Sequence, residues 1–376
     1  MKHPVFRKII FQIFIVAAFC FLTGCAATVW EKPDNLDTYM EANFKYMKVN
    51  GMAALVVKND SIVWTGCYGF ADKEKGRPVT PDTPFMIASI SKTVVVTAVM
   101  QLEEKGILSL KDDINEYLPF SVRNPKHPDR SITAEMLLTH TSSIRDYSPM
   151  YNGFYTLEGG GESPIPLGEY LQSYLTKDST YYTKKSYYGH QPGSKKKYSN
   201  VASALAGYLV ECISGIPFDQ YCEDHIFKPL GMHHTGFRIA DFEPDVLAIP
   251  YDSKNRPLPH YSYPTYPDGA LRTSVNDFSR FVRAYLNGGL YEQTRILEEK
   301  TIDRILTPNR QGQGLIWYRT ENLMGHSGGD PGVTTYMFID VDQELGVILF
   351  LNKELGIFKG IVPYIICMRL IERFSN

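Results

Sequence analysis

Pro84-Phe85-Met86-Ile87-Ala88-Ser89-Ile90-Ser91-Lys92 carries an apolar lead-in into the helix-like run Thr93-Val-Val-Val-Thr-Ala-Val-Met-Gln-Leu-Glu-Glu-Lys105, which stops at Gly106. Three residues is close to one helical turn, so Ser89 and Lys92 share a face. A serine in the first turn also sits at the positive end of the helix dipole. A hydroxyl at its own pKa is a poor nucleophile, and a neighbouring amine held neutral can take its proton. Lysine suits that task because burial lowers its pKa readily. Alone, the spacing S-x-x-K is a weak signal: a helix cap followed by a solvated lysine produces it too.

Two further segments strengthen it. Tyr198-Ser199-Asn200 follows Gln191-Pro-Gly-Ser-Lys-Lys-Lys197 and opens the apolar run Val201-Ala-Ser-Ala-Leu-Ala-Gly-Tyr-Leu-Val210. Gly325-His326-Ser327-Gly328-Gly329 precedes two strand-like runs near the C-terminus. In this order and spacing the three resemble the motifs S-x-x-K, Y-x-N and K/H-[ST]-G of the penicillin-recognising serine hydrolases. The likeness is to the class C branch, with its class C β-lactamases, DD-carboxypeptidases, D-aminopeptidases and related esterases. Leu137-Leu-Thr-His140-Thr-Ser142, Pro229-Leu-Gly-Met232 and Gly328-Gly-Asp-Pro331-Gly332 are lesser phrases of the same kind, so the resemblance runs from about residue 35 to the end.

The resemblance implies roles residue by residue. Ser89 attacks a carbonyl and forms an acyl-enzyme. Lys92 is its base, or the charge that tunes the base. Tyr198 shuttles protons; a phenol of pKa about 10 needs a cation beside it to do so at neutral pH, and Lys92 is the candidate. Which of the two takes the first proton stays open. Asn200 places the Lys92 amine and bonds a substrate amide. His326, Ser327 and Gly328 lie on a strand edging the cleft, Ser327 donating to a substrate carboxylate and Gly328 letting substrate approach the backbone. The N–H groups of Ser89 and Gly329 form the oxyanion hole. The plainer reading of Tyr198-Ser199-Asn200 is a turn and N-cap.

Two positions depart from the family pattern. The best-known β-lactamases carry lysine where His326 stands, and an unperturbed histidine is mostly neutral at pH 7. This favours a D-amino-acid peptide or a small ester over a β-lactam as substrate. Ser143 replaces the glycine of the usual His-Thr-Ser-Gly phrase, which puts that turn's conformation in question. The alternatives to a peptidase or esterase are a true β-lactamase and a retired penicillin- or peptidoglycan-binding protein. Gly325 to Gly329 also fits the G-x-S-x-G elbow of α/β-hydrolases, but that fold needs a later histidine, and none follows His326.

The 376 residues, 44% hydrophobic and 21% charged, are of ordinary globular composition. A formal charge of −2 gives no reason to expect nucleic acid. No H-E-x-x-H or C-x-x-C occurs, so neither metal nor cofactor is expected. Lys2, Arg7 and Lys8 precede an apolar run, Ile9 to Leu22, shorter than a spanning helix needs. Leu22-Thr23-Gly24-Cys25 resembles a bacterial lipobox. Residues 1–24 then read as a signal peptide, Cys25 as a lipidated residue, 25–35 as a tether and 36–376 as the hydrolase domain. The protein is accordingly expected outside the cytoplasm, held to a membrane by acyl chains. Removing three cations and no anions takes the charge from −2 to −5, so the anchor is not electrostatic. The remaining Cys67, Cys212, Cys222 and Cys367 match no disulfide or zinc framework and read as buried free thiols.

Along the chain, Ala53–Val57 and Ile62–Tyr68 read as strands joined at Lys58-Asn59-Asp60-Ser61. Thr133–Leu138, Val201–Ile213, Phe218–Ile226 and Asp277–Tyr285 read as helices. Thr334–Val341 and Gly346–Leu351 read as a strand pair, and Ile357–Arg373 as a final helix. Strands at both ends with helices between predict an α/β plus all-α fold: an antiparallel sheet built from N- and C-terminal segments, with flanking helices and a helical subdomain inserted over roughly residues 110–265. The Tyr-rich segment 147–190 is either a surface excursion or a wall of the cleft.

Overall fold

The computed structural model describes residues 35–309, 312–356 and 359–375. The signal segment, Cys25 and all but the last residue of the tether lie outside them.

Helix α1 (Leu36–Met47) leads into strand β1 (Gly51–Lys58) and its hairpin partner β2 (Ser61–Asp72). Asn59 and Asp60 both take positive φ, 49° and 55°, the backbone that a tight two-residue hairpin turn requires. A short β3 (Arg77–Pro78) borders β2. At the other end of the chain, β4 (Tyr318–Thr320), β5 (Leu323–Asp330), β6 (Val333–Asp340) and β7 (Leu345–Leu351) form a meander. β1 pairs with β7, from Met52 with Leu351 to Lys58 with Leu345. The result is one antiparallel sheet in the order β3-β2-β1-β7-β6-β5-β4.

The sheet is covered on both faces, which explains why β1 and β7 are buried almost throughout instead of alternating. On one face Met52, Ala54, Val56, Val347 and Leu349 pack with α1 and the C-terminal helix, Val362–Phe374. That helix begins later than expected, with Pro363 in its first turn, where a missing N–H does no harm. The other face, through Ala53, Leu55, Val57, Ile348 and Phe350, joins a larger core shared with the helices between the two strand groups.

In that core α2 (Lys92–Glu104) is buried at every position from Lys92 to Leu102. Buried on all sides, it lies at the centre of the molecule. Around it lie α3 (Ala134–Leu138), α4 (Leu167–Leu175), α5 (Asn200–Ser214), α6 (Val275–Leu286) and α7 (Glu299–Leu306). The Phe218–Ile226 segment is α-helical only to Cys222 and continues as a π-turn to Phe227. Segment 147–190 is no surface excursion: Tyr151, Tyr170, Tyr174 and Tyr187 are buried, and α4 lies within it. The four described cysteines are free, Cys222 and Cys367 buried, Cys67 and Cys212 only partly so. Among the described residues, no single helix is long and apolar enough to cross a membrane.

Candidate active site

Ser89 lies in a 3₁₀ turn, Ala88–Ser91, just ahead of α2. Ala88 takes a left-handed φ of 47°, which costs a non-glycine residue energy and turns the chain sharply before the nucleophile position. The turn is tied to the sheet: Thr335 Oγ1 donates to the Ile87 carbonyl at 2.8 Å, and the Ile87 N–H donates to the Leu271 carbonyl at 2.9 Å.

Two groups converge on the Ser89 hydroxyl. Lys92 Nζ lies 3.0 Å from Ser89 Oγ, and Tyr198 Oη lies 2.9 Å from it. Lys92 Nζ is also 5.2 Å from the Tyr198 ring centre. The structure thus brings Ser89, Lys92 and Tyr198 into one cluster from two distant segments. The cap reading of Tyr198-Ser199-Asn200 holds as well. Ser199 caps α5, accepting from the Ala202 N–H at 3.0 Å, and thereby fixes Tyr198 at the helix entrance.

What secures that entrance is Asp146. Its carboxylate accepts from Ser199 Oγ at 2.8 Å, the Asn200 N–H at 2.8 Å and the Val201 N–H at 3.1 Å. Asn200 differs from expectation. Its side chain makes no hydrogen bond among the described residues, and the Lys92 amine is held instead by Asp268, whose main-chain carbonyl accepts from Nζ at 2.5 Å. The Asp268 carboxylate is 3.9 Å from the same nitrogen.

His326 and Gly328 face Ser89's side of the sheet, paired with Met337 and Thr335. A Cβ on Gly328 would collide with the Ile87 carbonyl and with Thr335 Oγ1. Glycine is required there so that the nucleophile turn can lie on β5, the protein's own backbone approaching closely at this position. Gly329 has open space where its Cβ would be. Ser327 is exposed and pairs with Tyr336 on the opposite face. β4 pairs only as far as Gly325, so the edge of β5 beyond it, at Ser327, is not covered by β4. β5 runs on through Asp330, so no helix follows Gly325–Gly329 as an elbow would need.

Ser143 adopts φ 64°, a glycine-like conformation, and its Oγ accepts from Asn124 Nδ2 at 2.8 Å. His140, in the same turn, has a ring centroid 4.5 Å from that of Tyr198 and accepts the Ser199 N–H on Nδ1 at 3.4 Å.

Burial governs the electrostatics. It pushes Lys92 below the usual lysine range, against the pull of Asp268, Asp330 and Asp146. Although 37% of Tyr198 is exposed, its hydroxyl lies deep, and burial with the same three aspartates raises its pKa far above the ordinary value. Burial thus favours the neutral phenol, against the expectation that Lys92 beside it makes the phenol acidic. His326 is held neutral, its pKa pushed down to about 3 by burial and Lys92. Its Nδ1 donates to the Ser327 carbonyl at 2.7 Å, which leaves Nε2 a buried acceptor without a partner among the described residues. Burial raises Asp268 to about 7 and Asp330 to about 6. Both carboxylates rest on tyrosines: Tyr151 Oη donates to Asp268 at 3.0 Å, while Tyr155 and Tyr263 donate to Asp330 at 2.9 and 3.2 Å. Tyr151 and Tyr155 come from segment 147–190, and Asn152, Tyr155 and Leu157 of that segment wall a cavity shared with Gly329 and Asp330.

Asp146, Asp268, Asp330 and Lys196 were not singled out from sequence. Asp268 gives one signal, an acid inside the apolar run Pro267-Asp268-Gly269-Ala270-Leu271. Lys196 Nζ lies 4.6 Å from the Tyr318 ring centre, and the His326 ring is 5.1 Å from the same ring. No group of three or more metal-ligating side chains occurs among the described residues.

A serine–lysine–tyrosine cluster around a buried lysine, at the foot of a central helix and edged by an antiparallel strand, defines a class of serine hydrolase. The Beta-lactamase family model matches residues 39–362, and the chain belongs to that family. The PbpX protein of Bacillus subtilis (strain 168), named for a penicillin-binding protein, is 30% identical over 82% of this chain and 73% of its own. The octameric penicillin-binding protein homologue from Pyrococcus abyssi superposes with a TM-score of 0.74 at 25% identity, covering 91% of this chain and 77% of its own. A β-lactamase/D-alanine carboxypeptidase from Pseudomonas syringae gives 0.70 at 20% identity, covering 89% and 98%.

Proposed function

We propose that this protein hydrolyses D-amino-acid peptides or small esters through an acyl-enzyme on Ser89. The observation that carries the reading is the convergence of Lys92 Nζ and Tyr198 Oη on Ser89 Oγ, at 3.0 and 2.9 Å. Burial favours the neutral amine of Lys92 and the neutral phenol of Tyr198, so Lys92 is the better first base. It takes the Ser89 proton as Oγ bonds to the carbonyl carbon. The proton then passes by way of Tyr198 to the leaving nitrogen or oxygen as its bond to that carbon breaks. Water reverses the sequence and restores the serine. The N–H groups of Ser89 and Gly329 would receive the oxyanion, each worth about 10² to 10³ in rate.

The preference against β-lactams rests on charge. His326 is neutral where an anion-capturing enzyme needs a cation, and Asp268 and Asp330 lie close by. One observation favours the β-lactamase reading instead: Lys196, stacked on Tyr318, brings a cation to the His326 side of the cleft. The fold does not choose, since the Pseudomonas syringae neighbour is named for both activities. A retired binding protein is disfavoured by the intact cluster. The test is steady-state kinetics on nitrocefin, p-nitrophenyl butyrate and a D-Ala-D-Ala peptide. Multiple turnovers of ester or peptide with slow or stoichiometric reaction of nitrocefin are expected, and His326→Lys should raise the nitrocefin rate. Wild-type nitrocefin turnover far above the other two would promote the β-lactamase reading.

The sequence further supports lipid anchoring at Cys25 and an extracytoplasmic site of action. Cys25→Ser should release the protein from membranes or leave its precursor uncleaved. A fully soluble wild type processed upstream of Cys25 would rule this out.

A further inference from the structure

The side chain of Lys92 is fully enclosed, and among the described residues only one carboxylate lies within 4 Å of its nitrogen: Asp268, at 3.9 Å. The same residue's main-chain carbonyl accepts from Nζ at 2.5 Å, while Nζ reaches Ser89 Oγ at 3.0 Å. We propose that Asp268 is a positioning residue for the hydrolase reaction, aiming the Lys92 amine at Ser89 through its carbonyl and setting how readily that amine holds a proton through its carboxylate. The inference rests on the hydrolase reading above.

Three features support it. The carbonyl is fixed, because Asp268 closes a one-turn 3₁₀ helix, Tyr266–Asp268, whose Asp268 N–H bonds Thr265 O at 3.0 Å. The carboxylate is fixed separately: Tyr151 Oη, from the other wall of the cleft, lies 3.0 and 3.2 Å from its two oxygens. At 3.9 Å the carboxylate acts on the amine through its field and leaves the amine's hydrogen bonds directed elsewhere, whereas a direct hydrogen bond would hold the amine away from Ser89. Without a counter-charge a buried lysine loses its proton easily. Asp268 is the largest influence restoring it, ahead of Asp330 on β5 and Asp146 at the entrance to α5. The remaining ionisable groups around the amine are the neutral rings of His140 and His326 and the neutral phenols of Tyr198 and Tyr151. Lys196, beyond Tyr318, acts on those two histidines.

The sign follows. Asp268 ionised favours the Lys92 ammonium, and the ammonium cannot accept the serine proton. Rate therefore rises with pH as Lys92 loses its proton, and removing the carboxylate's charge must bring that rise to lower pH. Asp268→Asn keeps the main-chain carbonyl and an oxygen for Tyr151. Tyr151→Phe keeps the carboxylate but removes a hydrogen bond that favours its ionised form, so it should shift the rise the same way by less.

The experiment measures the rate of fluorophosphonate labelling of Ser89 from acid to alkaline pH in full-chain wild type, Asp268→Asn and Tyr151→Phe. Each is scaled to its own plateau. On the rising limb, Asp268→Asn should label faster than wild type by roughly tenfold, the effect of one unit in a titration midpoint. A purely structural role would lower the rate at all pH values and leave the midpoint in place. Superimposable scaled profiles, or a midpoint shifted upward, overturn the proposal. If Asp268→Asn does not fold, Tyr151→Phe decides by the same criterion. Wild type that takes no label on Ser89 sinks the hydrolase reading itself; labelled wild type with an unmoved midpoint sinks only the role of Asp268.

Discussion

At the scale of single residues, Gly328 shows how a motif position can be recognised and its reason missed. In the sequence it is the glycine of a three-residue motif beside a substrate cleft. In the structure the space its side chain would fill belongs to the Ile87 carbonyl and Thr335 Oγ1. Gly328→Ala should therefore destabilise the protein by about 1–3 kcal/mol, as overpacking does, and should also slow Ser89 labelling because the nucleophile turn is displaced. A variant as stable as wild type in a denaturant titration would contradict this. Ser89, Lys92 and Tyr198 were legible because a hydroxyl, an amine and a phenol in ordered motifs announce their chemistry. The aspartates were not. An isolated Asp in a loop reads as a turn former, and only the fold reveals that Asp146, Asp268 and Asp330 all act on one buried lysine.

At the scale of elements, the entrance to α5 is the joint on which the site depends. Tyr198 has no helix of its own; it is placed by the Ser199 cap, and the cap is placed by Asp146. Asp146→Ala would leave the Ser199 hydroxyl and two backbone N–H groups without their acceptor. The expected loss is about 2–4 kcal/mol, reduced by the relief of no longer burying a carboxylate. Thermal melts should show it, with a fall in activity larger than the fall in folded fraction, because Tyr198 moves off Ser89. The neighbouring Ser143 turn makes the opposite case. Ser143→Gly would relieve a φ of 64° but lose the bond from Asn124, so its stability should stay within about 1 kcal/mol of wild type. The strands β1, β2, β6 and β7 and the helices α2, α3, α5 and α6 were readable to within a few residues from hydrophobic pattern, whereas β3 and β4 were not and β5 was expected only from the motif resemblance. Helices α1, α4 and α7 were not, and the Tyr-rich wall was ambiguous, because its tyrosines serve both as core and as hydrogen-bond donors to cleft carboxylates.

For the whole molecule, the buried titratable groups set how stability varies with pH. His326 and His260 are held near 3 and near 4, and His140 also well below 6.5, all chiefly by burial. The unfolded chain takes up protons on these residues as pH falls below 6.5, so stability is lost on acidification. Asp268 and Asp330, raised from 3.8 to about 7 and about 6, act in reverse: the folded state binds their protons first and gains stability as pH falls. The melting temperature should fall from pH 6.5 toward 4, and fall more steeply in Asp268→Asn, which lacks one compensating proton. Parallel curves would count against the buried-carboxylate assignment. The two-sided sheet, the central helix and the inserted helices exist, on this account, to hold one hydroxyl between an amine and a phenol. The most direct measurement is mass spectrometry of the protein after fluorophosphonate treatment. A single adduct on the peptide containing Ser89, absent from Ser89→Ala, is the predicted result; an adduct on Ser327, or none in folded wild-type protein, would contradict the account.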